Sequence, residues 1–205
     1  MSNTYLFVDG SSLLGDLHRL RQKKPDLKGR KLDLLKFCNH FVHGPYQAFV
    51  GEGYKRFSIY FVKGENRLTE HIILPKFTTP DIVEDVHIRY CGKRLQGSKK
   101  LQDWMNNENP PQYVLDRFGK SEKAVDTQIC CDALQLASNN RLDRLFIYTN
   151  DFDFMPLFDT LKSMGANISL FRLTKDKVNK ALVENADSFH VPKAEALEAM
   201  FEKKT

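Results

Sequence analysis

Cysteine is scarce in this chain: four residues, Cys38, Cys91, Cys130 and Cys131, with no C-x-x-C pair among them. That spacing argues against a zinc module and suits a reduced, cytoplasmic protein. Long apolar runs are missing as well. Nothing approaches the length of a membrane span, and Met1-Ser2-Asn3 leads straight into a strand-like Tyr5-Leu6-Phe7-Val8 with no signal-peptide pattern. No G-x-G-x-x-G follows a strand-like run, which speaks against a dinucleotide cofactor. There is no internal repeat or low-complexity segment, and the histidines form no ligand-like pair.

What is present is an ordinary globular composition, 41% hydrophobic and 28% charged over 205 residues, enough for one domain with a buried core. That domain is expected to span 1–205, with its core over 4–191 and a C-terminal helix over 193–203. The net charge of +5 is unevenly spread, with basic residues crowded into 19–31, 89–100 and 117–123. Any one such cluster reads as solvated surface. Together, around an acidic centre, they suit a polyanion held by its phosphates.

Strand-like runs alternate with helical patterns. Thr4–Asp9, Arg56–Val62, Val86–Cys91, Leu145–Thr149 and Asn167–Phe171 read as strands, with Phe189–Val191 as a short edge strand. Helical spacing begins at Leu13, recurs from Leu32 to Val42, and covers 123–138, 157–164 and 177–182. The stretch 65–85 is ambiguous, helical up to Leu74 and then broken by Pro75 and Pro80; 92–122 reads as a long surface excursion. Such alternation predicts a three-layer α/β/α fold around a mostly parallel, doubly wound, Rossmann-like sheet.

Carboxylates close the two most apolar strands. Asp9 ends the first and is followed by Gly10-Ser11-Ser12; Asn150-Asp151-Phe152-Asp153 follows Leu145–Thr149. In open α/β sheets ligands bind beyond the carboxyl ends of strands, where the strand order reverses. If these two strands are neighbours there, Asp9, Asp151 and Asp153 open into one crevice. On the helix 123–138, Asp126, Cys130, Ala133 and Ala137 fall on one line, so Asp126 is expected at the head of a sheet-facing stripe, with Cys130 and Cys131 as small buried residues. A lone desolvated carboxylate is costly unless paired or bound to a metal. Acidic oxygens gathered in one place favour a hard divalent cation, magnesium or manganese. Asp126 also fits a dipole-favoured helix start, and Asp153 the N-cap of a helix from Phe154 with Pro156 in its first turn.

Taken in order, Phe7-Val8-Asp9-Gly10-Ser11-Ser12, Lys123-Ala124-Val125-Asp126 with Asp132-Ala133-Leu134, Thr149-Asn150-Asp151-Phe152-Asp153-Phe154 with Pro156-Leu157, and Gly165-Ala166-Asn167-Ile168 resemble the NYN domain, the PIN-like nuclease family also called LabA-like. The resemblance covers 4–191. It implies a PIN-like fold and Mg²⁺- or Mn²⁺-dependent cleavage of RNA, with Asp9, Asp126 and Asp151 as metal-site carboxylates and Asp153 assisting. Ser11, Ser12 and Asn150 would be auxiliary. The family usually has Asn at the position of Ser12 and Gly at those of Ala124 and Asn150.

The expected function is therefore a metal-dependent, endonucleolytic ribonuclease acting on single-stranded or structured RNA, with a homo-oligomer left open. Arg94, Lys99, Lys100 and Lys123 would bind backbone phosphates, and Tyr90, Trp104 or Tyr113 could stack bases. A rival of a different class is a PIN-like scaffold that binds RNA or a protein without cutting. A phosphatase with an Asp-x-Asp nucleophile fits less well, because Asp9 has no second Asp at position 11.

Overall fold

The computed structural model describes residues 3–43, 55–63, 68–74, 86–94, 107 and 122–202. In chain order it comprises β1 (Thr4–Asp9), α1 (Gly10–Lys23), β2 (Leu32–Asp33), α2 (Leu34–His43), β3 (Lys55–Lys63), α3 (Leu68–His71), β4 (Ile72–Ile73), β5 (Val86–Arg94) and β6 (Glu122–Lys123). Then come α4 (Val125–Ser138), β7 (Arg144–Tyr148), a 3-10 turn (Phe152–Phe154), α5 (Met155–Ser163), β8 (Asn167–Phe171), α6 (Lys180–Asn185), β9 (Ser188–His190) and α7 (Ala194–Ala199).

β1 is buried at every position, yet its side chains divide between two cores. Leu6 and Val8 join Phe57, Ile59 and Phe61 of β3 on one face; Tyr5 and Phe7 join Tyr60 and Val62 on the other. The period-two alternation of a strand is hidden in the sequence because helices cover both faces of the sheet. Leu13, Leu17 and Leu20 of α1 and Leu34, Phe37 and Cys38 of α2 pack on the first face. Val125, Ile129 and Ala133 of α4 and Leu157, Phe158 and Leu161 of α5 pack on the second. This is the expected three-layer α/β/α architecture.

Six strands run parallel in the order β5-β3-β1-β7-β8-β9, and β6 adds a short antiparallel pairing beyond β5. Counted along the chain, the parallel strands follow the doubly wound order 3-2-1-4-5-6. The order reverses between β1 and β7, which pair from Thr4↔Arg144 to Val8↔Tyr148. Asp9 and the Thr149-Asn150-Asp151 turn therefore leave the sheet side by side, as the sequence predicts.

Several boundaries differ. Glu122 and Lys123 are strand, pairing with Arg94 and Lys93, so the helix starts at Val125. Leu32 and Asp33 precede α2 as a strand parallel to Ile72–Ile73, within the ambiguous stretch. The sixth helix covers Lys180–Asn185 rather than 177–182, and α7 ends at Ala199, after which Phe201 bridges to Leu32. Residues 75–85 and nearly all of 95–121 lie outside the described residues.

Gly10 shows why β1 ends as it does. A Cβ there would lie 2.2 Å from the Phe61 ring and 2.5 Å from the Tyr60 carbonyl oxygen. The second contact is backbone of the neighbouring strand, so no rotamer change relieves it. Gly10→Ala is expected to destabilise the fold by about 1–3 kcal/mol, read as a lowered midpoint in urea denaturation.

Candidate active site

Asp9 sits at the carboxyl end of β1, only 3% exposed, and is fully engaged by short-range donors. Its Oδ1 accepts from the Ser11 backbone N–H at 2.9 Å and the Ser11 hydroxyl at 2.8 Å. Its Oδ2 accepts from the Ser12 hydroxyl at 2.6 Å and, more distantly, from Thr149 Oγ1 at 3.5 Å. Asp9 is thereby the N-cap of α1 as well as a wall of the site. Every one of these partners is neutral, so the carboxylate has hydrogen bonds but no countercharge among them.

The facing wall comes from the end of β7. Thr149 Oγ1 accepts from the Asp151 N–H at 3.1 Å, and the Asn150 N–H donates to Ser12 Oγ at 3.2 Å. Ser12 thus stitches the two strand ends, donating to Asp9 and accepting from Asn150. Asp151 is exposed, and its Oδ1 accepts from the Asp153 N–H at 3.0 Å. Asp151, not Asp153, is therefore the residue that caps the turn into α5: the 3-10 turn inserts before the helix, so the cap moves two residues upstream. Asp153 is exposed.

Between these walls lies an open cleft of about 430 Å³. Asp9, Ser11 and Ser12 line one side, Asn150 and Asp151 the other, and Gly15 and Arg19 of α1 extend it. Asn150 borders the cleft with its amide already committed. Its Nδ2 donates to the Lys177 carbonyl at 2.9 Å and its Oδ1 accepts from the Asn179 N–H at 2.8 Å, tying the β8–α6 connection to the end of β7. As an auxiliary residue it shapes the loop, and its carbonyl oxygen is spent.

Asp126 is the residue whose setting departs most from the sequence reading. The buried stripe of α4 is Val125, Ile129, Ala133 and Ala137, which keeps the two alanines of the expected line and puts Val125 and Ile129 in place of Asp126 and Cys130. Asp126 and Cys130 are half-buried at its edge, and Cys131 is exposed. Neighbouring helical residues are 100° apart, so Val125 and Ile129, the larger apolar groups, take the sheet and turn Asp126 and Cys131 aside. Asp126 does not line the Asp9–Asp151 cleft. Burial pushes the Cys130 thiol up to about 11, with the Asp126 charge adding to the effect, and Asp126 also raises Cys91 behind burial, the largest cause there.

Ala124, before α4, has φ 73°, a left-handed conformation that a residue without Cβ adopts freely, which is a physical reason for glycine at this place. Asp132 accepts from Tyr60 Oη at 2.7 Å and Gln128 Nε2 at 2.9 Å and pairs with Arg89. At the β5–β6 edge the backbone of Arg94 pairs with Glu122 and that of Lys123 with Lys93; Lys99 and Lys100, with Trp104 and Tyr113, lie outside the described residues. Tyr90 is 47% exposed and Phe152, between the two aspartates of its turn, 54%.

The cleft holds a residue the sequence reading left inside a basic run, Arg19. The signal was available: Ser12, Gly15 and Arg19 recur at helical spacing and share one face of α1, opposite Leu13, Leu17 and Leu20.

Among the described residues no group of three or more His, Cys, Asp or Glu side chains is placed to hold a metal ion. The donor set fits a narrower demand. Two carboxylates and two hydroxyls offer oxygen alone, and magnesium is bound through one or two carboxylates while keeping several waters. The open cleft leaves room for those waters.

No helix among the described residues is long and apolar enough to cross a membrane. The model of the family described as NYN domain matches residues 3–197. A crystal structure of a protein of unknown function from Vibrio parahaemolyticus is similar with a TM-score of 0.51, covering 95% of each chain at 12% identity, a likeness of fold. No curated protein matches the chain.

Proposed function

We propose, on the premise that the chain belongs to the NYN domain family, a PIN-like nuclease family, that it is a divalent-metal-dependent ribonuclease working at the Asp9–Asp151 cleft. The observation that carries this reading is the meeting of two carboxylates, from β1 and from the end of β7, across an open cleft at the point where the strand order reverses. Asp9 and Asp151 would hold Mg²⁺ or Mn²⁺. Bound there, the ion would supply Lewis-acid polarisation of a phosphoryl group and a more acidic water.

The chain's own groups do the positioning. Ser11 and Ser12 fix the Asp9 carboxylate, and Thr149 holds the Asp151 backbone in the same frame. Asp126 and Asp153 enter the proposal on the family pattern alone. Arg94, Lys99, Lys100 and Lys123 are the proposed phosphate contacts, and the exposed rings of Tyr90 and Phe152 are faces on which unstacked bases can rest. A second reading, an RNA-binding module that does not cut, is favoured by one observation: among the described residues the cleft is lined by two carboxylates, without Asp126.

One experiment separates the two. Labelled RNAs are incubated with the purified protein in Mn²⁺, in Mg²⁺ and in EDTA, beside Asp151→Asn. The nuclease reading expects cleavage with either ion, none in EDTA, and a rate about a hundredfold or more lower in the variant. Equal degradation by wild type and variant, or degradation that persists in EDTA, sinks it.

A further inference from the structure

We propose that Arg19, set over Gly15 on α1, is a phosphate subsite of the cleft that takes the RNA backbone one nucleotide away from the Asp9–Asp151 position. The inference rests on the reading that RNA enters this cleft, but not on the RNA being cut there.

The first support is charge. Asp16, fully buried beside the cleft face of α1, accepts from Arg172 twice, at 2.6 Å and 2.8 Å, from Tyr148 Oη, and from Arg19 Nη2 at 2.5 Å. Arg172 is 0% exposed and already matches the carboxylate as a two-pronged pair. Around Asp16 two guanidiniums face one carboxylate, and the cation nearer to water is Arg19, whose side chain is 28% exposed; Asp176, which also feels the Arg19 charge, already has Lys23 at 2.8 Å. Were its task only to neutralise Asp16, it would be redundant.

The second support is shape. Arg19 lines the cleft with Gly15 and Ser12, all on one face of α1. Helical side chains lean toward the N-terminus, and the Arg19 nitrogens lie 3.7 Å from where a Gly15 Cβ would be. The guanidinium therefore hangs over a residue with no side chain, about one turn, or ~5 Å of rise, beyond Ser11 and Ser12. That gap leaves the charge open to a ligand lying along the helix. No partner among the described residues takes Arg19 Nε. A cationic point one turn from two carboxylates suits a chain of phosphates: a metal ion at one, a guanidinium at the next.

The test is binding of a short fluorescein-labelled single-stranded RNA, by anisotropy in EDTA over a salt series, with Mn²⁺ cleavage run in parallel. Wild type is compared with Arg19→Gln, Arg19→Lys and Gly15→Leu. At Gly15 a Cβ meets nothing closer than the Arg19 nitrogens at 3.7 Å, so the side chain grows toward the guanidinium and not into the core. Arg19→Gln is expected to weaken binding about tenfold or more and to lower the salt slope by about 0.7, one phosphate's share on a single strand. Gly15→Leu should weaken binding comparably with Arg19 still present, and Arg19→Lys should restore most of the slope. Unchanged affinity and slope in Arg19→Gln and Gly15→Leu overturn the subsite while leaving cleavage by wild type to stand. A wild type that binds no RNA overturns it too. Arg19-dependent binding without cleavage supports the subsite and removes the nuclease reading.

Discussion

Asp16→Leu is expected to be the most destabilising single change in the described core, by about 3–5 kcal/mol, a large share of the roughly 5–15 kcal/mol that holds a domain together. Asp16, Arg172 and Tyr148 are all completely buried. Burial favours loss of the Arg172 proton, but the hydrogen bonds to Asp16 and the Asp16 charge outweigh it, and the guanidinium is held above its ordinary range. Burial, with Asp16 beside it, raises Tyr148 far above the usual phenol range, so it stays a neutral donor. Removing Asp16 leaves one buried cation unpaired and Arg19 beside it with the same sign. Arg172→Met is milder, near 3 kcal/mol, because Arg19 and Tyr148 still serve Asp16. The double variant Asp16→Leu/Arg172→Met should be more stable than Asp16→Leu alone, since a buried ion pair replaced whole by apolar groups is often close to neutral. Chemical denaturation of the three variants measures this directly; a double variant less stable than both singles would refute the accounting.

That cluster also explains how a site is kept in register. Arg172 Nη1 donates to the Thr149 carbonyl at 3.1 Å, Thr149 Oγ1 accepts from the Asp151 N–H, and the same hydroxyl reaches Asp9. The end of β7 is thus tied from below through β8 and from the side through Ser12. None of this was legible in the sequence. Arg172 follows an apolar strand and reads as the polar residue that ends it; only the fold shows that Asp16, on the buried face of α1, waits beneath.

The strands and their order were far more readable. β1 and β7 are continuous apolar runs ending in carboxylates, and a doubly wound sheet has few ways to arrange them, so their adjacency followed from topology. The rotation of α4 did not. Asp126, Cys130, Ala133 and Ala137 share a line in projection, but so do Val125, Ile129, Ala133 and Ala137, and the second set contains the larger apolar side chains. Burial of Val125 and Ile129 decides between two nearly equal periodic patterns by a margin that the pattern alone does not contain. The cation of the cleft was hidden for a different reason. Arg19 sits in a run of basic residues and gains its meaning from Gly15, whose lack of a side chain is invisible to any count of charge.

Asp9→Asn is expected to reduce metal-dependent RNA cleavage by about a thousandfold while leaving the fold within roughly 1 kcal/mol of wild type. The two halves of that statement test two roles of one side chain. As N-cap, Asp9 needs only an oxygen facing the Ser11 and Ser12 N–H groups at 2.9 Å and 3.4 Å, and asparagine supplies one as well as aspartate does. As a metal-holding residue it needs the negative charge and a second acceptor oxygen, and asparagine has neither. The new amide would meet the Ser12 hydroxyl, which can turn to accept from it and give up its bond to a carboxylate. Asp9→Ala loses both roles and should fall by a further ~1 kcal/mol in stability. Urea denaturation and Mn²⁺ titration of cleavage, run on the same three preparations, give the comparison. If Asp9→Asn cleaves RNA as wild type does, Asp9 is a cap and nothing more, and the carboxylate that matters lies elsewhere. If it unfolds, the five hydrogen bonds that Asp9 draws from Ser11, Ser12 and Thr149 depend on its charge, and the site and the first turn of α1 cannot be separated by mutation at this position.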